Sequence, residues 1–129
     1  LGLKPEHIEF VKNAMAGVNK EGTGARSFAG AQYTSGGKTG TAQVIGMKQN
    51  EKYDESRVAE QYRDHALYIA YAPADNPKIA LAILVENGGH GGSAAAPIAR
   101  AVFDYVVLGK ESKPPKPGDP ATPEEAAGD

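Results

Sequence analysis

The sequence predicts an α+β fold in which helices pack against an antiparallel sheet. Two apolar segments, 65–72 and 78–86, flank the turn-forming run Pro73-Ala74-Asp75-Asn76-Pro77, an arrangement typical of a hairpin. Two amphipathic segments, 5–18 and 95–108, lie on either side of this hairpin and repeat apolar residues at helical spacing. Helices set apart from consecutive strands, rather than alternating with them, indicate the α+β class.

The first helix is predicted from Pro5 to about Gly17, because proline suits a first helical turn. The apolar residues of this segment recur at helical spacing: Ile8, Val11, Met15 and Val18. The glycine-rich stretch 19–30 is predicted to be a loop. The segment 33–47, with its threonines and β-branched residues, is predicted to be a strand with glycine interruptions.

The segment 48–63 is polar and highly charged, and we predict an excursion on the surface. Within it, 48–53 is expected to be mobile and to contribute to substrate or acceptor access, and 54–62 to form a short ordered helix. Residues 110–129 hold five prolines and many charges, which predicts a disordered tail after a domain over 1–109.

The last predicted strand contains an unbroken apolar run from Ile79 to Val85. Apolarity on both faces indicates a strand that is covered above and below and flanked by neighbours. Because the chain offers three strands, we expect a further strand from elsewhere to pair with this one. The sequence also starts at Leu1 rather than at a methionine, and we expect it to be part of a longer chain.

The composition argues against several functions. A formal net charge of −2 is unsuited to a nucleic-acid partner, which needs a basic surface. The absence of cysteine excludes disulfides, thiolate catalysis and thiolate metal sites. The histidines His7, His65 and His90 are far apart in sequence, so neither a metal site nor a cofactor is predicted.

The run Ser35-Gly36-Gly37-Lys38-Thr39-Gly40-Thr41 partly matches three chemical motifs. A phosphate-binding loop needs a glycine where Gln32 stands and a helix after the lysine, and the sequence supplies neither. Ser35 and Lys38 also satisfy the S-x-x-K pattern of a serine nucleophile with its lysine base. Two glycines before a strand cannot form the helical turn that this pair needs, so we treat the match as chance.

The third motif, K-T-G, fits its surroundings. Lys38 places a positive charge beside the strand. Thr39 and Thr41 lie on one face of it, where both can donate hydrogen bonds to a carboxylate. Gly40 between them lets a ligand backbone approach closely. This pattern predicts a binding strand for an anionic, peptide-like ligand.

The loop Gly89-His90-Gly91-Gly92-Ser93-Ala94 matches the dinucleotide pattern G-x-G-x-x-A between a strand and a helix. A nucleotide-binding unit of this kind needs a parallel strand after the helix, whereas this helix leads into the proline-rich tail. We interpret 88–92 as a flexible connection into the last helix and keep a nucleotide-binding fragment as an alternative.

From Glu6 to Gly109 the sequence resembles the C-terminal part of the transpeptidase domain of class B penicillin-binding proteins. Four runs carry the resemblance: Ser35 to Gln43, Asp64 to Pro73, Ile79 to Gly88 and Ala94 to Arg100. It implies a penicillin-binding protein/β-lactamase-like antiparallel sheet with helices on both faces. This chain would supply the last three strands and flanking helices. The nucleophile, its base and the S-x-N motif would lie on chain that precedes it.

The resemblance also implies peptidoglycan D,D-transpeptidase activity through a serine acyl-enzyme that β-lactams attack. The catalytic residues of this chain are then Lys38 and Thr41, and its substrate-binding residues are Lys38, Thr39, Gly40 and Thr41. The expected partners are peptidoglycan stem peptides, β-lactam antibiotics, the N-terminal part of the same protein and a cell-elongation glycosyltransferase. The expected location is the periplasm, on a protein anchored in the inner membrane.

Two alternatives stay open besides the nucleotide-binding fragment. One is another member of the same superfamily, such as a division-specific transpeptidase or a β-lactam sensor domain. The other is a non-catalytic fragment whose K-T-G is coincidental. The sequence upstream of this chain would separate the members of the superfamily from one another.

Overall fold

The computed structural model of the chain describes residues 2–46, 54, 56 and 58–110. Within these ranges the elements are α1 Pro5–Lys20, α2 Ala25–Phe28, β1 Gly36–Ala42, β2 His65–Ala72, β3 Ile79–Val85 and α3 Ala96–Leu108. A short 3-10 turn, Glu60–Tyr62, precedes β2, and a π-helical turn, Gly91–Ala95, leads into α3. The predictions made for 48–53 and for the tail beyond Lys110 lie outside the described residues.

Helix α1 is longer than predicted. It runs to Lys20, past Gly17, and the N–H of Glu21 then bonds the Gly17 carbonyl oxygen at 2.9 Å. Nothing lies within 4 Å of a Cβ placed on Gly17, so this glycine only weakens the helix and does not end it. Lys20 in the last turn complements the negative end of the helix dipole.

The three strands form one antiparallel sheet in the order β1-β2-β3, which confirms the predicted α+β class. Strand β2 occupies the predicted positions, 65–72. Strand β1 is shorter than the predicted 33–47, because the ladder with β2 starts at Gly36, opposite Tyr71, and ends at Ala42, opposite His65.

The core lies on one face of this sheet, beneath α2 and α3. Its buried apolar residues are Phe28, Ala66, Tyr68, Ala70, Ala72, Ala95, Ala96, Ala99 and Phe103. The ring of Phe28 joins two others, with its centroid 6.2 Å from that of Tyr68 and 6.1 Å from that of Phe103. The alanines of β2 and α3 leave room for these rings, and the aromatic cluster attaches α3 to the sheet.

The other face of the sheet is largely open within the described residues. Ile69 is 50 % exposed and Leu84 is 57 % exposed. Burial alternates along β3, so the second face of the apolar run is not covered by the part of the chain that the structure describes. Covering of that face, and pairing of β3 with a further strand, stay predictions.

Helix α1 runs beside β1 and is tied to tyrosines on both faces of the sheet. The Tyr71 hydroxyl donates to the Lys12 carbonyl oxygen at 3.0 Å, and the Tyr68 hydroxyl donates to Asn19 Oδ1. These two rings cross the first residues of β1. A Cβ on Gly36 would lie 2.6 Å from the Tyr71 ring, and one on Gly37 would overlap the Tyr68 hydroxyl. No helix in the described ranges has the length and apolar character needed to span a bilayer.

Candidate active-site strand

The register of β1 fixes which side chains of the motif share a face. Thr39 lies opposite the buried Tyr68 and Thr41 opposite the buried Ala66, so the two threonines share one face as predicted. Lys38 lies opposite Ile69 and belongs to the other face. Its ammonium folds back along the strand, and Nζ donates to the Thr39 carbonyl oxygen at 2.8 Å.

One edge of β1 is unpaired within the described residues, because β1 ends the sheet. A Cβ placed on Gly91 would lie 2.8 Å from the Gly40 oxygen and 3.1 Å from the Gly40 nitrogen, and would overlap the Leu67 oxygen. This clustering puts the polar backbone groups of Gly40 on the side of its partner Leu67. Since these groups alternate along a strand, the N–H and C=O of Thr39 and Thr41 point to the unpaired edge. An extended peptide can pair there.

The glycine loop that precedes α3 packs directly against this strand. The backbone at Gly91 touches Gly40 and Leu67, and a Cβ on Gly92 would lie 2.8 Å from the Thr23 oxygen. The interpretation of 88–92 as a flexible connection is therefore wrong for its last two residues. At Gly91 the chain passes against the backbone of β1 and β2, and at Gly92 it passes against the Thr23 carbonyl oxygen, so neither position has room for a side chain. The close approach at Gly40 is likewise made by the chain itself, and approach by a ligand stays a prediction.

Thr23 lies in the stretch predicted to be a loop, and its side chain reaches the motif. Its hydroxyl oxygen lies 3.0 Å from that of Thr39. The two residues belong to different elements, and nothing in the local pattern around Thr23 signals the contact. The same stretch, 19–30, was predicted to be a loop but contains α2, whose four residues are too few to show a helical period.

A buried polar cluster supports the start of β1. Asn19 Nδ2 donates to Ser35 Oγ at 2.9 Å, while Asn19 Oδ1 accepts from the Tyr68 hydroxyl. Ser35 is buried, and its hydroxyl is held by Asn19 rather than directed at Lys38, which agrees with treating that S-x-x-K match as chance. Burial raises the pKa of Tyr68 to about 12, so the phenol stays protonated and remains a donor.

The far end of β1 is held by the residues around the start of β2. Asp64 Oδ1 accepts from the Val44 N–H at 3.2 Å, and the Asp64 carbonyl oxygen accepts from the Gly89 N–H at 2.9 Å. His65 Nδ1 accepts from the Asn87 N–H at 2.9 Å. These bonds fix both the exit of β1 and the entry to the glycine loop. None of the described residues form a group of three or more acidic or histidine side chains able to hold a metal ion.

The antiparallel sheet with the K-T-G-T strand at its edge, followed by the last helix α3, is the arrangement that the family comparison identifies. The family model "Penicillin binding protein transpeptidase domain" matches residues 1–104, and the chain belongs to that family.

Within this family, the chain is similar to curated proteins of one kind. The chain is 51 % identical over 86 residues to the peptidoglycan D,D-transpeptidase MrdA of Haemophilus influenzae, covering 67 % of this chain and 13 % of that protein. It is 44 % identical over 103 residues to MrdA of Escherichia coli K12, covering 78 % of this chain and 16 % of that protein. The chain thus spans about a sixth or less of the length of these relatives.

Solved structures of penicillin-binding proteins superpose on this chain. PBP2 of Pseudomonas aeruginosa in complex with WCK 5153 superposes with a TM-score of 0.66 at 36 % identity, covering 81 % of this chain and 20 % of that one. PBP2 of Helicobacter pylori in complex with MreC gives a TM-score of 0.64 at 28 % identity, covering 83 % of this chain and 19 % of that one. The resemblance found in the sequence is confirmed, and it is to the transpeptidase domain of penicillin-binding protein 2.

Proposed function

We propose that the protein to which this chain belongs is a peptidoglycan D,D-transpeptidase that works through a serine acyl-enzyme, and that this chain contributes the K-T-G-T strand. The observation that carries the proposal is the edge strand β1. Its outer edge, which is unpaired within the described part of the chain, presents the polar backbone of Thr39 and Thr41. The names of the MrdA relatives support the same activity. The nucleophilic serine is expected in a part of the protein outside this chain.

In this mechanism the donor stem peptide pairs with the open edge of β1 in the manner of an added strand. The serine attacks the carbonyl between the two terminal D-alanines, the last D-alanine leaves as the free amino acid, and an amine of a neighbouring stem peptide then takes the acyl group. As the carbonyl oxygen becomes negative, the Thr41 N–H is one of the donors that stabilise it. A β-lactam enters the same site and stops at the acyl-enzyme.

Charge and hydroxyl groups on β1 recognise the carboxylate end of the donor. Lys38 supplies a positive field at the edge of the strand, where its ammonium already reaches the Thr39 carbonyl oxygen. The Thr39 and Thr41 hydroxyls share the opposite face and donate to the carboxylate. Gly40, which lies between them in β1, adds no side chain that would block the approach of the ligand.

The partners proposed for the whole protein follow from the same family. They are peptidoglycan stem peptides, β-lactams, the remaining part of the protein and a cell-elongation glycosyltransferase. PBP2 of Helicobacter pylori was solved in complex with MreC, which supports a place for the whole protein in a larger assembly. The proposed location is the periplasm, on a protein anchored in the inner membrane.

Replacement of Lys38 tests the proposal. In the complete protein, Lys38→Ala should lower the rate of acylation by a fluorescent penicillin on the order of 10²-fold or more, because a preorganised charge at the site is lost. Lys78→Ala, which removes a lysine from the turn before β3, is the matched control and should leave the rate unchanged.

Two results would count against the proposal. Acylation of Lys38→Ala at the wild-type rate would remove the role given to Lys38. Covalent labelling of the isolated chain, residues 1–129, would show that the nucleophile lies within it, contrary to the placement proposed here.

A further inference from the structure

Thr23 lies in the loop between α1 and α2, outside the K-T-G-T strand, yet its side chain belongs to the same cluster. Its hydroxyl oxygen is 3.0 Å from that of Thr39. We propose that Thr23 is a positioning residue for ligand binding, which donates a hydrogen bond to Thr39 Oγ1 and thereby turns the Thr39 proton towards the carboxylate of the donor peptide. The inference rests on the function proposed above.

The loop that carries Thr23 is held in place by its own backbone. The Gly24 N–H bonds the Val18 carbonyl oxygen at 3.0 Å, which ties the loop to the end of α1. A Cβ on Gly92 would lie 2.8 Å from the Thr23 oxygen and 3.7 Å from Thr39 Cγ2, so Gly92 packs between the two threonines. The Ser27 hydroxyl in turn donates to the Gly92 carbonyl oxygen at 3.3 Å. The backbone that carries Thr23 is therefore held beside Thr39, and the Thr23 side chain is exposed there.

The direction of the hydroxyl pair decides what Thr39 can do. Each threonine hydroxyl has one proton and two lone pairs. If Thr39 donates to Thr23, only lone pairs remain to face a carboxylate, and these repel it. If Thr23 donates instead, the Thr39 proton is free, and two hydrogen bonds run in sequence towards the anion and strengthen each other. An anionic ligand thus selects the second arrangement, and Thr23 contributes only when the ligand carries the charge.

This dependence on ligand charge gives the test. In the complete protein, Thr23→Val keeps the shape of the side chain and removes the hydroxyl. The second-order rate of acylation by benzylpenicillin should fall about twofold to fourfold, because the bond from Thr39 to the carboxylate is no longer strengthened by a donor behind it. Thr23→Ser keeps the donor and should stay near the wild-type rate. Benzylpenicillin methyl ester has no carboxylate, and it should react equally fast with the wild type and with Thr23→Val.

The controls separate positioning from a general loss of structure. Thr34→Val removes the hydroxyl that donates to Asp75 Oδ1 at 3.2 Å, away from the motif, and should leave both rates unchanged. In a Thr39→Val background, Thr23→Val should cause no further loss, since its partner is already absent. If Thr23→Val does not fold, Thr23→Ala replaces it in the same comparisons.

The inference is overturned if Thr23→Val reacts with benzylpenicillin at the wild-type rate. It is also overturned if the substitution slows acylation by the methyl ester as much as it slows acylation by benzylpenicillin. It also falls if the two threonine substitutions are additive. A wild-type protein that takes no penicillin at all would instead refute the proposed function, and the role of Thr23 with it.

Discussion

The side chain of Tyr68 connects α1 to the residues at the start of the motif strand. It is fully buried, at 0 % exposure, and its hydroxyl donates to Asn19, which in turn donates to Ser35 at the start of β1. Burial disfavours the phenolate, which is why the pKa rises to about 12. An unfolded tyrosine loses its proton near pH 10. Between these values the unfolded state binds fewer protons than the folded state, so stability falls as the pH rises.

Replacement of this residue has two expected effects on the complete protein. At neutral pH, Tyr68→Phe should lower the free energy of unfolding by about 1–3 kcal/mol, because Asn19 Oδ1 is left buried without its donor. From about pH 10 to about pH 12 the wild type should lose up to about 2–3 kcal/mol that the variant does not lose, so the difference between them shrinks. Urea unfolding across this pH range measures both.

Phe28→Leu is the control for this experiment. Phe28 packs on the Tyr68 ring but has no titratable group, so the substitution should lower stability at every pH and still show an alkaline loss of stability, because Tyr68 keeps its phenol. A Tyr68→Phe protein with the same alkaline slope as the wild type would contradict the account of the buried phenol.

For single residues, the sequence predicted which face of a strand a side chain occupies, because side chains alternate along a strand. Thr39 and Thr41 were placed on one face correctly, because a strand has a period of two. The contact between Thr23 and Thr39 was not predictable, since it depends on how the end of α1 docks against β1. The Asn19 cluster was missed for the same reason: each of its polar residues lies on a different element.

Among the elements, the π-helical turn Gly91–Ala95 packs closely against the motif strand. In Gly91→Ala the new methyl group would overlap the Leu67 carbonyl oxygen and press on Gly40. Because these are backbone atoms of a paired sheet, they cannot move without disturbing β1. We expect a loss of about 1–3 kcal/mol in the free energy of unfolding, with slower penicillin acylation as β1 shifts.

Gly17→Ala is the matched glycine substitution with the opposite expected sign. Its site in α1 has free space for a methyl group, so the complete protein should gain about 0.5–1 kcal/mol from the better helix former. Thermal unfolding of the two variants compares them directly. A Gly91→Ala protein as stable as the wild type would mean that the turn does not press on the sheet.

The elements that the sequence predicted well are the ones with many periodic residues. Helix α1 and strands β2 and β3 were identified from their apolar spacing, with errors of a few residues at the ends. Helix α2 and the π-helical turn are too short for any period to appear. The prediction of a flexible connection was wrong for Gly91 and Gly92, because glycines required by packing and glycines of a loose loop look the same in a sequence.

For the molecule as a whole, the open face of the sheet determines how the chain behaves alone. Ile69 and Leu84 are half exposed on neighbouring strands, and apolar sheet surface of this kind promotes association. The isolated chain should self-associate, and Leu84→Lys should reduce this in light scattering. In the complete protein the same substitution should lower the melting temperature, because the rest of the protein is expected to cover that face.

Tyr62→Lys is the control for an exposed ring that is not on the sheet. It should change neither the self-association of the isolated chain nor the melting temperature of the complete protein by a comparable amount. An isolated wild-type chain that stays monomeric would contradict the predicted self-association. A complete protein whose melting temperature is unchanged by Leu84→Lys would argue that nothing packs on this face.

The tyrosines that cross the beginning of β1 restrict how this sequence can vary. Tyr71 lies over Gly36 on one face and Tyr68 lies over Gly37 on the other, with no space for a Cβ at either glycine. A larger residue at either position would displace a ring whose hydroxyl also anchors α1, through Lys12 or Asn19. Neither glycine can therefore be exchanged for a larger residue unless its tyrosine moves or becomes smaller at the same time. Substitution at the entrance to the motif strand is in this sense coupled, and the two tyrosines preserve the two glycines.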